Sequence, residues 1–192
     1  MPYRMAVGAA SVLAILMGCG DVGSSPALRL LDLEGRTVVP LQKDDPLATV
    51  FLFTRTDCPI SNRFAPEVRR LYEKFSPKQV AFWLVYPNPD ESADAIRQHL
   101  QDFQYPCQAL RDPQHSLVQL TGAKVTPEVA VFVPKREMVY RGRINNRFVD
   151  YGKARPKATE DDLEVVLEAI IAGESISQRT TQAIGCPISD LQ

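Results

Sequence analysis

The chain is poor in the side chains that build metal centres, with two histidines and four cysteines among 192 residues. None of those cysteines stands in a C-x-x-C pair, so there is no zinc-like spacing. A Gly-rich phosphate loop and a Ser/His/Asp arrangement are also lacking, which withdraws support from nucleotide-dependent phosphoryl transfer and serine hydrolysis, and no cofactor motif replaces them. A formal net charge of -1 gives no bulk attraction for nucleic acid. There is no low-complexity tract and no internal repeat. What remains is a chain of single-domain length, large enough to bury a real core.

The N-terminus reads differently from the rest. In "MPYRMAVGAASVLAILMGCG" one charge, Arg4, precedes an apolar stretch from Met5 to Met17. That stretch is too short to span a bilayer and ends in small residues, as a secretory signal does. Its closing "LMGC" resembles a bacterial lipobox, which implies removal of residues 1–18 and lipidation of Cys19. Residues 19–27 then form the lipidated cysteine and a small, polar tether. The expectation is a domain over 28–173 with a tail over 174–192, held in the bacterial cell envelope by its lipid and facing the extracytoplasmic side. An ordinary signal peptide with a chance cysteine, or an uncleaved anchor, is the alternative. With Cys19 lipidated, Cys58, Cys107 and Cys186 remain, an odd number that cannot all pair within one chain.

Apolar alternation on either side of Glu34-Gly35 predicts a hairpin over 27–42. The continuous runs "ATVFLFT" (48–54) and "QVAFWLVYP" (79–87) fit strands buried on both faces. Between them, Phe64, Val68, Leu71, Tyr72 and Phe75 recur at helical spacing. A second helix is expected over 90–103, with His99 on its solvated side, and a short strand over 107–112. A brief helix led by His115 and closed by Gly122 follows. Segments 128–134 and 137–144 predict a hairpin across Lys135-Arg136. A final helix over 159–173 has Thr159 as its cap and Gly173 as its stop. This order predicts an α/β protein, with helices covering a mixed sheet.

On that scaffold "TRTDCPISNR" puts Cys58 where a central strand ends and a helix begins. Pro59 suits the first helical position, since its missing N–H costs nothing there. Cys58 then lies at or beside the N-cap, where free amides and the helix dipole stabilise a thiolate, the form that attacks peroxides and disulfides. Arg55 and Arg63 favour that charge and Asp57 opposes it, so the net shift stays open. A small buried cysteine at a strand end is the plainer alternative.

"TDCPISNRFAP", followed by "VTPEVAVF" from Val125, resembles the thioredoxin-like superfamily, and within it the extracytoplasmic redoxins of the alkyl hydroperoxide reductase/thiol-specific antioxidant type. The likeness covers roughly residues 27–172. It implies a three-layer thioredoxin-like fold, a central mixed sheet with helices on both faces. It implies that Cys58 is the nucleophile, that Pro66 is the helix-kinking proline, and that Thr126-Pro127 is the cis-proline pair that shapes substrate approach. Two departures stand out. Ser61 occupies the place of a second motif cysteine, so dithiol exchange within the motif is excluded. Arg55 stands where peroxiredoxins carry a threonine.

These features predict a single-cysteine redoxin that reduces a peroxide or exchanges with protein disulfides, and that is restored by an external thiol reductant. Cys186, in "QAIGCPISD", is the candidate resolving thiol, since a long intervening chain adds little to loop closure; an unpaired tail thiol is the alternative. Cys107 reads as core. A Sco-like copper carrier lacks the needed soft ligands, and a non-catalytic thioredoxin-like binding module is the other competing class. Between Lys135 and Lys157 stand eight basic residues and two acids. Arg141 and Arg143 either stabilise a sulfur anion or occupy a solvated sheet face balanced by acids of the last helix.

Overall fold

The computed structural model describes Met1, Leu28 and residues 30–41 and 46–188. Residues 2–18 of the signal segment, Cys19 and the rest of the tether to residue 27 lie outside the described residues. Among the described residues, no helix is long and apolar enough to cross a membrane.

The chain opens with a short antiparallel hairpin, β1 (Leu30–Leu31) and β2 (Thr37–Val38). Asp32 closes its turn by accepting from the amides of Glu34 and Arg36, and Gly35 takes the left-handed conformation the turn requires. The run Ala48–Phe53 is β3, buried throughout. Because side chains alternate, Val50 and Leu52 enter one core while Phe51 and Phe53 enter the other. Then come α1 (Pro59–Phe75), β4 (Val80–Tyr86), α2 (Ala93–Asp102), β5 (Gln108–Arg111), α3 (Ser116–Thr121), β6 (Val125–Thr126), β7 (Glu128–Val133) and β8 (Glu137–Gly142). The chain continues through β9 (Phe148–Asp150), β10 (Lys153–Ala154), α4 (Asp162–Ala172) and β11 (Cys186–Pro187).

Seven strands form one mixed sheet in the order β2-β1-β5-β4-β3-β7-β8. Strands β3, β4 and β5 are parallel; the flanking pairs are antiparallel. Helices α1, α2 and α4 cover one face through Phe64, Val68, Leu71, Ile96, Leu163 and Leu167. Helix α3 covers the other through Leu117 and Val118. Each such buried side chain contributes about 1.5–3 kcal/mol, so the sheet between two covered faces is the mechanical base of everything at its C-terminal edge. The expected three-layer α/β architecture is what the chain adopts.

Two local expectations are revised. Helix α4 starts later than expected, with Asp161 at its N-cap. Thr159 instead pairs with Asn146, whose amide nitrogen donates to Thr159 Oγ1 at 2.8 Å and whose Oδ1 accepts from the Thr159 amide. His99 is not solvated but 4 % exposed. Its Nδ1 meets the Tyr86 hydroxyl and its Nε2 meets Asn62 Oδ1, each at 2.8 Å. Two further pairings carry no strong periodicity in sequence: the β9–β10 hairpin, and β11 against β6.

Candidate active site

Strand β3 delivers the chain to a tight turn in which the Cys58 amide donates to the Arg55 carbonyl. Cys58 is the N-cap of α1, in extended conformation, with Pro59 at the first helical position. Its carbonyl accepts the first helical bond from the Asn62 amide at 3.0 Å, and its sulfur accepts from the Ser61 amide at 3.5 Å. The Thr126-Pro127 bond is cis, and the Thr126 carbonyl lies 3.0 Å from the Cys58 sulfur. Cys58, Pro59, Thr126 and Pro127 therefore sit at one place, built from the ends of β3 and β6. Ser61 lies directly behind, buried, its hydroxyl without a hydrogen-bond partner.

The C-terminal tail closes the site. Strand β11 pairs antiparallel with β6, Cys186 opposite Thr126 and Pro187 opposite Val125. This register brings the Cys186 sulfur to 2.6 Å from the Cys58 sulfur, with both cysteines free. The Ile188 amide donates to the Lys124 carbonyl at 2.9 Å, and the Ile188 side chain is buried in the second core. Farther back, the tail is tied to β8: the Arg141 amide donates to the Arg179 carbonyl and the Thr181 amide to the Arg141 carbonyl. The Thr181 hydroxyl meets the Tyr140 hydroxyl at 2.6 Å and accepts from the Arg143 amide at 3.0 Å. With the tail in place, Cys58 has no exposed surface.

The two thiols are electrostatically unequal. Burial opposes ionisation of Cys58, but hydrogen bonding by Cys186, Ser61 and Thr126 outweighs it and holds its pKa below the ordinary thiol value. Burial, then the Cys58 hydrogen bond and charge, push Cys186 up to about 12. Ionisation is thus favoured at Cys58 and disfavoured at Cys186. Asp57, whose charge opposes the thiolate, pairs with Arg55 at 3.0 Å. Cys107 is buried, and burial raises it to about 12, which makes it a core thiol.

The arginines serve structure. Arg141 donates to the Gly122 carbonyl at 2.6 Å, and Arg143 is held by Asp162 at 2.7 Å and by Glu160. Neither guanidinium is given to the sulfur anion; Asp162 of α4 and Glu160 just before the helix balance Arg143. Arg63 is exposed on α1. Arg55 reaches the Pro187 carbonyl at 3.4 Å and so holds the tail. His115 bonds the Pro87 carbonyl at 2.9 Å, so neither histidine faces the sulfurs as a copper ligand would.

Sequence reasoning missed Glu91, Gly185 and Tyr151. Glu91 is buried, and its Oε1 accepts from the Thr56 amide at 2.6 Å, fixing the loop that precedes Cys58. Burial raises its pKa, opposed by the bonds from Thr56. One signal was available: Cys-Pro-Ile-Ser occurs at both 58–61 and 186–189, an exception to the absence of repeats that marks the tail as more than a linker.

The comparisons with known proteins agree with this geometry. The model of the AhpC/TSA family matches residues 24–142. An uncharacterized conserved protein from Geobacillus kaustophilus is 25 % identical with a TM-score of 0.70, over 84 % of this chain and 88 % of its own. A hypothetical protein from Sinorhizobium meliloti 1021 is 21 % identical with a TM-score of 0.71, over 84 % and 89 %. A secreted Mycobacterium tuberculosis disulfide oxidoreductase, 13 % identical, shares the fold with a TM-score of 0.51 over 77 % and 96 %. No curated protein matches. With the family matched over more than half its length and a paired thiol at the strand–helix junction, the chain belongs to the AhpC/TSA family as a thioredoxin-like, thiol-dependent oxidoreductase.

Proposed function

We propose that the chain is a lipid-anchored redoxin of the cell envelope in which Cys58 attacks the substrate and Cys186 resolves the product. The observation that carries this reading is the 2.6 Å approach of the two sulfurs, 128 residues apart in sequence. A thiolate beside a protonated thiol is the arrangement the chemistry needs, because the first must attack and the second must wait. With a peroxide, the Cys58 thiolate takes the terminal oxygen and the O–O bond breaks. The alkoxide leaves with a proton, and Cys58 becomes a sulfenic acid. The Cys186 sulfur then attacks Cys58, forming the disulfide and releasing water. With a protein disulfide, Cys58 forms a mixed disulfide, and Cys186 displaces the reduced substrate thiol. Either route leaves the Cys58–Cys186 pair oxidised by two electrons, and an external thiol reductant returns them. Ser61 takes no part, so resolution falls to the tail. The secreted oxidoreductase that shares the fold and the signal-like N-terminus support an extracytoplasmic location.

The experiment treats the reduced full chain with one equivalent of hydrogen peroxide or glutathione disulfide, then maps thiols by alkylation and mass spectrometry. A Cys58–Cys186 linkage is expected in the parent. Cys58→Ser should abolish it, and Cys186→Ser should accumulate a dimedone-reactive sulfenic acid with peroxide. A parent that consumes neither oxidant overturns the reading. For the anchor, radiolabelled palmitate should enter the parent in bacterial cells but not Cys19→Ala.

A further inference from the structure

The β9–β10 hairpin projects Tyr151, largely exposed, towards the tail, and the Tyr151 hydroxyl donates to the Gly185 carbonyl. Gly185 immediately precedes Cys186. A Cβ at Gly185 would collide with the Thr126 carbonyl, so only glycine lets the tail approach β6 this closely. On the other side of Cys186, Ile188 is fixed by the Lys124 carbonyl and by its burial. Cys186 is therefore held between two anchors. Among the described residues, no backbone hydrogen bond of residues 182–184 holds the tail, so the anchor at Gly185 is the first hold on the segment before the β11–β6 pairing.

Resting on the reading that Cys58 and Cys186 form the redox pair, we propose that Tyr151 is a positioning residue: its hydroxyl clasps Gly185, secures the register that the β11–β6 pairing gives Cys186, and latches the tail over the nucleophile. Two consequences follow. In the reduced protein the clasp shields Cys58 from outside reagents, so an incoming substrate works against it. Once Cys58 is oxidised, the same clasp raises the local concentration of the Cys186 thiol. Disulfide formation, in which two thiols lose two electrons and two protons to an oxidised glutathione, therefore depends on a side chain that touches neither sulfur.

Tyr151→Phe removes the hydroxyl and leaves the ring. In the full chain it should speed Cys58 labelling by N-ethylmaleimide about three- to tenfold, the factor one net hydrogen bond commands. Equilibration with reduced and oxidised glutathione should show the Cys58–Cys186 disulfide less stable by the same factor, about 30 mV for a tenfold change. The melting temperature should stay unchanged, because the sheet and its helices do not depend on the clasp. Gly185→Ala should change both quantities further in the same direction. In the Cys186→Ser background, Tyr151→Phe should still speed Cys58 labelling, because the latch does not need the second thiol. Equal labelling and equal potential in the parent and Tyr151→Phe, with the linkage forming in both, overturn the clasp alone. Failure of the linkage in the parent overturns the pair and, with it, the proposed role.

Discussion

Cys58 carries a problem of two opposing effects, because a thiolate gains from the helix N-terminus and loses from burial. The Cys186 sulfur, 2.6 Å away, tips the outcome through the hydrogen bond between the two, which lowers the Cys58 pKa. This predicts that the pH midpoint for alkylation of Cys58 lies below the value of about 8.5 for a free cysteine. Cys186→Ala should raise that midpoint even as it uncovers the sulfur, since that hydrogen bond is gone; mass-resolved alkylation between pH 5 and 10 reads both effects. A midpoint that falls or stays put in Cys186→Ala would assign the low pKa to the helix terminus alone. Cys107, pushed up to about 12 by burial, should label only on unfolding. The linkage has a sign: because the folded pKa of Cys58 is depressed, ionisation stabilises the reduced fold as pH rises through its titration, and that contribution is lost as pH falls through the folded value.

Between elements, His99 joins α2 to β4 and α1. Asn62 Nδ2 donates to the Thr56 carbonyl at 3.1 Å, so its Oδ1 faces His99 and accepts from Nε2–H. Nδ1 meets the Tyr86 hydroxyl, a group able to donate to a neutral ring. Burial lowers its pKa, against a raising effect of Asp102. The unfolded chain binds a proton near pH 6.5 that the fold refuses, so stability should decline as pH falls from about 7 to 5. His99→Gln should flatten that slope in urea titrations across the window; an unchanged slope would move the effect to other groups. Asn62→Ala should cost about 1–3 kcal/mol by stranding buried polar atoms. This network also explains what could be read in advance. Strands β3 and β4, helix α1 and the Cys58-Pro59 junction were legible because local periodicity and a proline at a helix start are local signals. His99 was misplaced because its partners come from two other elements. The Tyr151–Gly185 contact joins residues 34 apart in segments without periodic pattern, so nothing local announced it. Cys186 was legible only as a candidate, since chain statistics allow the encounter without selecting it.

At the scale of the molecule, the tail is a strap across a body that is already complete. The seven-stranded sheet contains no residue of β11, but the tail adds Ile188 to the second core and packs Ile184 and Cys186 against the first. Near its midpoint the strap is riveted at Gly142, where a Cβ would strike Thr181, and by the Thr181 hydroxyl against Tyr140 and the Arg143 amide. Ending the chain after Thr181 should therefore leave a folded domain with native circular dichroism. Its stability should fall by at least about 1.5–3 kcal/mol, the value of burying one isoleucine, because Ile184 and Cys186 leave the first core along with Ile188. Cys58 should then label at the rate of an exposed thiolate, and one equivalent of peroxide should yield a persistent sulfenic acid instead of a disulfide. Ile188→Ala keeps both cysteines and loosens only the far anchor, so its Cys58 labelling rate should lie between those of the parent and the truncated chain. Urea unfolding with pulse alkylation orders the three proteins. If the truncated chain is globally unfolded, the tail is an integral part of the core and the site has no separable cover. If it folds but Cys58 labels no faster than in the parent, the sulfur is shielded by the strand–helix junction itself.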